Sequence, residues 1–159
     1  MSWSVDGSIR RPFEVSALLP HTREVMGELL ATDEIPELES NAPTVAIETM
    51  GMDIDFTVLL PTGDGAEVRT VDLLDGEAET TFVVVSSRHY RATTNVSTVL
   101  CIAVALAAAD LGGGSYFDDN RGFVLRAGMY DPHEFIARTR LAPSDLTFAE
   151  RCERYLAPR

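Results

Sequence analysis

Apolar residues recur along this chain in three rhythms, each implying a different kind of element. Around residues 20–31 the spacing is helical: Val25, Met26, Leu29 and Leu30 share one face, and Pro20 suits a first helical turn. Residues 13–19 read as a preceding turn of that helix or as a short helix of their own. A loop over 32–42 follows, with Pro36 and Pro43 as breakers. From 44 to 88 the period becomes two, the mark of strands with one buried and one wet face. Val45 and Ile47 alternate with Ala46 and Glu48; Met52, Ile54, Phe56 and Val58 alternate with Asp53, Asp55 and Thr57.

Turn chemistry divides this second region into a meander. Residues 61–65 (PTGDG) form a hairpin loop, Asp75-Gly76 marks another, and Gly51 is a tight turn or a bulge. A strand is predicted over 68–74. Residues 81–86 hold Phe82, Val83, Val84 and Val85 in succession, which predicts a central strand covered on both faces.

The third rhythm is an apolar run over 99–109, predicting a helix from 94 to 111 capped by Thr93 or Thr94 and closed by Gly112–Gly114. A helix that is apolar nearly all round must be sandwiched between the sheet and other helices. Short strands are expected at 115–117 and 123–125 around the turn at 118–122. A short helix opens at Asp131 or Pro132 and runs to Arg140, and a last one starts at Ser144, followed by Thr147 and Glu150, and ends near Leu156. The expected class is α+β: an antiparallel-rich sheet packed by a central apolar helix and further helices, as a single domain over residues 1–159.

Charge adds what the pattern lacks. The 159 residues carry 25 acids and 13 bases, a formal net charge of −12, and every base is arginine. With no lysine, a Walker A loop, a Schiff-base lysine and a lysine general base are excluded. The acidic balance opposes nucleic-acid backbones and anionic membranes. The excess is also local. Residues 24–80 hold 15 acids and only Arg69, a charge of −14, while the remainder carries +2. Strand alternation points Asp53 and Asp55 outward, with Glu48 and Asp72 beside them and Glu34, Glu37 and Glu39 in the adjoining loop. These seven residues are the candidate partner-binding face. Its alternative is a solvated surface with some acids paired to Arg138, Arg140, Arg151 and Arg154.

Residues 1–23 lack an apolar signal segment, and the 11-residue apolar run falls short of the roughly 18–20 needed to span a bilayer. The expectation is a cytoplasmic protein without membrane contact, its Cys101 and Cys152 reduced. His21, His89 and His133 lack the companions of a metal motif, so no metal or cofactor is expected. Residues 86–91 (SSRHYR) sit at a strand end, where ligands commonly bind in α/β folds, but also read as a capping loop.

Two stretches resemble known families. Residues 53–57 (DIDFT) resemble the D-x-D-x-T pattern of haloacid dehalogenase phosphohydrolases. That resemblance implies Asp53 as nucleophile, Asp55 as general acid and Asp118-Asp119 as the late acidic pair at a Mg²⁺ site. Here, however, the string is expected mid-strand, where the family's lies at the end of a buried strand. Residues 105–120 (ALAAADLGGGSYFDDN) resemble segments of small bacterial immunity-type proteins, which bind and block a toxin domain without catalysis. The leading expectation is therefore a non-enzymatic binding protein, an immunity protein that neutralises a cationic toxin or another basic protein through its acidic face. A Mg²⁺-dependent phosphohydrolase using Asp53 and Asp55 and a homodimeric assembly protein are the alternatives.

Overall fold

The apolar run lies inside a helix, Asn95–Leu111, that is buried from Ser97 to Ala109. Its start is fixed by Thr94, whose hydroxyl accepts the Ser97 N–H at 3.0 Å. Its end is a Schellman turn: the Gly113 N–H reaches the Asp110 carbonyl, the Gly114 N–H reaches the Ala109 carbonyl, and Gly113 sits at φ 62°. A computed structural model describes residues 3–50, 53–75, 78–88 and 93–159.

In chain order the elements are β1 (Val5–Ile9), β2 (Phe13–Glu14), α1 (Val15–Leu30), β3 (Glu39–Ser40), β4 (Ala46–Ile47), β5 (Asp55–Leu59), β6 (Gly65–Asp75), β7 (Ala78–Ser87), α2 (Asn95–Leu111), β8 (Phe117–Asp119), β9 (Gly128–Tyr130), α3 (Pro132–Thr139) and α4 (Phe148–Leu156). The fold is α+β. Seven strands form one antiparallel sheet in the order β3-β5-β6-β7-β1-β8-β9, and β2 pairs with β4 in a separate ribbon. Helix α2 lies on β1, β7 and β6, and α1 and α4 cover its other side, with α3 alongside. Among the described residues, no helix is long and apolar enough to cross a membrane.

The contact between α2 and the sheet is close because β1 carries a glycine there. A Cβ on Gly7 would stand 2.5 Å from the Ala105 carbonyl oxygen and 3.2 Å from the Ala109 Cβ. Past the end of α2, a Cβ on Gly114 would stand 1.5 Å from the Ser8 carbonyl oxygen. The Arg10 and Arg11 N–H groups both donate to the Gly112 carbonyl, and the Arg11 side chain donates to that of Leu111. These donors close the otherwise open C-terminal end of the helix.

Arginine also joins the helices. Arg151 of α4 is buried and donates to the carbonyls of Leu30 and Ala31 at the end of α1, and to those of Leu146 and Ser144. Arg23 donates to the Ile35 and Pro36 carbonyls and pins the loop after α1. Helix α4 starts in a capping box between Thr147 and Glu150, and Asp131 caps α3. Cys101 and Cys152 are both buried and free, and burial pushes both thiols up, Cys152 to about 12.

Several expectations are corrected. Of the two readings of residues 13–19, the preceding turn of the same helix is the one found: α1 runs from Val15, with Val15 and Leu18 in its buried stripe. Only the first-turn role of Pro20 is corrected, since it lies inside the helix and forgoes one hydrogen bond there. The stretch at 45–47 leaves the meander and pairs with Phe13–Glu14. Strand β7 is central but covered on one face only: Val83 and Val85 are fully buried under α2, while Phe82, Val84 and Ser86 are half-buried on the other side. Residues 123–125 form no strand, because the buried Asp119 carboxylate takes the Phe123 and Val124 N–H groups and holds them in a turn. The expected features at Gly51, Met52 and Gly76 lie outside the described residues.

Replacing Gly7 by Ala forces β1 away from a helix backbone that has nowhere to go. The expected cost is about 1–3 kcal/mol of folding free energy, read from urea unfolding. An unchanged midpoint would mean that β1 and α2 do not make this contact.

Candidate functional site

All four helices lie on one side of the sheet, which leaves the opposite face open. Strand alternation decides which side chains reach it. On β5 these are Asp55, Thr57 and Leu59, because Phe56 and Val58 are buried. On β6 they are Glu67, Arg69, Val71 and Leu73; on β7, Phe82, Val84 and Ser86; on β1, Asp6 and Ser8; on β8, Asp118.

The registers align these positions into a row across six strands. Asp55 stands opposite Arg69, Arg69 opposite Val84, Val84 opposite Asp6, Asp6 opposite Asp118, and Asp118 opposite Met129. Four of the six side chains are ionisable, and three of those are carboxylates. Among the described residues the Arg69 side chain makes no hydrogen bond or close ion pair, although Asp55 is its direct cross-strand neighbour and its charge acts on Asp6.

One end of this face is a groove of about 650 Å³ lined by Trp3, Asn41, Asp55, Thr57, Glu67 and Arg69, among others. Trp3 stands edge-on to Phe123, ring centroids 4.6 Å apart, which holds the indole at the groove wall. The other end is apolar. Phe82 and Tyr116 are in ring contact at 5.9 Å, Leu73 is 54% exposed and Met129 is 64% exposed.

The seven acids expected to form one face do not converge. Asp55 lies in the row, and Glu39 of β3, opposite Leu59, is on the same face. Asp53 is exposed in the extended segment leading into β5. Asp72 is on the opposite face, where it accepts the Thr81 hydroxyl at 2.6 Å. Glu48 is exposed just after β4, and the nearby Met50 N–H donates to that same Thr81. Glu34 and Glu37 are exposed in the loop after α1. The open face recruits Glu67, Asp6 and Asp118 instead. Glu67 was readable from the alternation of β6; Asp6 was not, because its strand went unrecognised.

The expected pairing of these acids with the late arginines is not made among the described residues. Arg138 pairs with Glu134 of its own helix, and Arg151 is bound to carbonyl groups. Two histidines converge where no motif suggested it: His21 and His133 each place Nε2 on one oxygen of Asp110, at 2.7 and 2.8 Å, tying α1 and α3 to the end of α2. Among the described residues, no group of three or more His, Cys, Asp or Glu side chains is placed to hold a metal ion. Of the strand end at 86–91, Ser86 faces the groove, while His89, Tyr90 and Arg91 lie outside the described residues.

The phosphohydrolase pattern loses its geometry here. Exposed Asp55 opens the antiparallel pairing at the start of β5, whereas the family's motif sits at the end of a buried strand. Asp118 stands four strand spacings away, about 19 Å, too far for one ion to join them. Asp119 points to the other side and is fully buried in its own turn.

Asp6 is the most perturbed group of the face. Burial pushes its carboxyl up to about 6, the charge of Asp118 adds to this, and Ser4 and Arg69 offset part of it. Its Oδ1 is buried with no hydrogen-bond partner. Comparison of the chain with family models, curated proteins and solved structures finds no match.

Because the folded value of Asp6 lies above its ordinary 3.8, the ionised form costs the folded state stability above pH 6 or so. That cost fades as pH falls from about 6 towards 3.8. Asp6→Asn is expected to raise the urea midpoint in mildly basic buffer, with the advantage shrinking through this window. A gap of constant size at every pH would contradict the assignment.

Proposed function

We propose that this chain is a non-enzymatic binding protein whose open sheet face docks a cationic protein. The observation that carries the reading is the cross-strand row, in which Asp55, Asp6 and Asp118 make no close ion pair among the described residues, beside an exposed aromatic and apolar surface. Interfaces of this kind pair an apolar, aromatic centre with charges that steer the encounter. A net charge of −12 disfavours a second copy of the chain on the same face and favours a partner rich in arginine or lysine. Trp3 at the groove wall adds a face on which a guanidinium or ammonium group stacks.

A basic toxin domain is a partner of this chemistry, as the resemblance of residues 105–120 to immunity-type proteins implies. Much of that stretch serves the fold, as the end of α2, its glycine turn and the pairing of β8 with β1. The toxin reading therefore rests on the charge of the face more than on the segment itself.

The test separates a local face from bulk charge. Binding of an oligo-arginine peptide is measured against ionic strength for Asp55→Asn/Glu67→Gln and for Asp33→Asn/Glu34→Gln, which removes the same charge from the loop after α1. The open-face pair is expected to weaken binding roughly tenfold, about 1.4 kcal/mol, and to flatten its salt dependence. The loop pair should change it little. Equal losses in both variants, or none in either, would overturn the reading.

A further inference from the structure

We infer that Asp6 and Asp118 hold one proton between them in mildly acidic solution, so that the open face carries one negative charge fewer there than at neutral pH. The inference concerns the free protein; only its consequence for binding rests on the docking reading above.

The geometry comes from the register. Asp6 of β1 and Asp118 of β8 are direct cross-strand partners on one face, which places their Cβ atoms about 4.5–5.5 Å apart. Two carboxylates at that separation resist ionising together. The surroundings do little to relieve them. Across β1 on the other side stands Val84 of β7, and across β8 stands Met129 of β9, neither charged. Arg69 is the nearest cation of the row, two strands from Asp6 and three from Asp118. Beside it along the chain, the Ser4 hydroxyl hydrogen-bonds the Asp6 carboxylate and, with the charge of Arg69, offsets part of the effect of burial, while the Ser8 hydroxyl is engaged with the Tyr116 backbone. Asp119 faces the helices, but its charge bears on Asp118 and, with burial, holds that carboxyl above its usual range too.

The buried Asp6 Oδ1 is the second observation. A charged oxygen buried without a protein donor is unfavourable, whereas a carboxyl holding a proton can donate it across the strand to Asp118. The pair then titrates as a unit, and its two apparent values belong to both groups. A cationic partner laid over the row favours the doubly ionised form and expels the proton.

The experiment is a carbon-detected carboxyl titration of ¹³C-labelled free protein. In the wild type, the Asp6 carboxyl carbon should respond to a step near pH 6, and the Asp118 carbon should sense the same step. In Asp118→Asn, the Asp6 step should move down by about one pH unit, a tenfold fall in proton affinity. Independent titration of both groups in the ordinary carboxylate range, or an Asp6 step indifferent to Asp118→Asn, would overturn the inference. The companion measurement is oligo-arginine affinity against pH. It should strengthen from mildly acidic to neutral solution in the wild type and stay level in Asp6→Asn. A wild-type affinity that does not vary with pH would overturn the link between proton and partner. Absence of binding at every pH would overturn the docking reading while the titration still decides the shared proton.

Discussion

The contact between Gly7 and the backbone of α2 is the constraint on which the rest of the molecule depends. Helix α2 has almost no polar face, so it needs apolar cover on every side. Without a side chain at Gly7, the helix lies directly against β1 beside β7. Its far side must then be closed by α1 and α4, with α3 alongside. All four helices are drawn to one side of the sheet by that requirement, and none remains to cover the other. The open face thus follows from how the single most apolar segment is buried.

Arginine usage follows the same division. The side chains of Arg11, Arg23 and Arg151 spend their donors on carbonyl groups, several of them at the ends of α1 and α2, and that of Arg10 donates to the Ser115 hydroxyl. They tie the helical layer together and leave Asp55, Asp6 and Asp118 without a close ion pair among the described residues. On the open face Arg69 stands among Asp55, Glu67 and, across Val84, Asp6, with the Arg88 side chain beside Gly65 and Leu59 near the end of β7. A face like this attracts cations at a distance and offers one anchoring point for an anionic group, which gives selectivity among basic partners as well as attraction.

The elements that could be read from the residues are those specified locally. The Thr94 and Asp131 caps bond the backbone through their side chains, and the glycine turn after α2 closes through its own N–H groups; the last helix starts at the Thr147 capping box, later than the expected Ser144. Strand β1 was invisible because Val5-Asp6-Gly7-Ser8-Ile9 has two apolar side chains and no β-branched run. It is a strand only because β7 and β8, far along the chain, supply partners on both sides. That omission hid Asp6 and so half of the candidate site. Asp72 was misplaced for a simpler reason. Asp55 and Asp72 sit on different strands, and only the register between β5, β6 and β7 tells which face each one occupies.

Trp3 is the only tryptophan in the chain, and it forms part of the groove wall beside Asp55, Glu67 and Arg69. Its fluorescence therefore reports the field at the open face. Collisional quenching by caesium and by iodide, each normalised to the urea-unfolded chain, measures the sign of that field. An uncovered anionic face predicts that caesium quenches Trp3 more effectively than iodide, with the difference lost at high ionic strength. Equal quenching, or stronger quenching by iodide, would contradict the account.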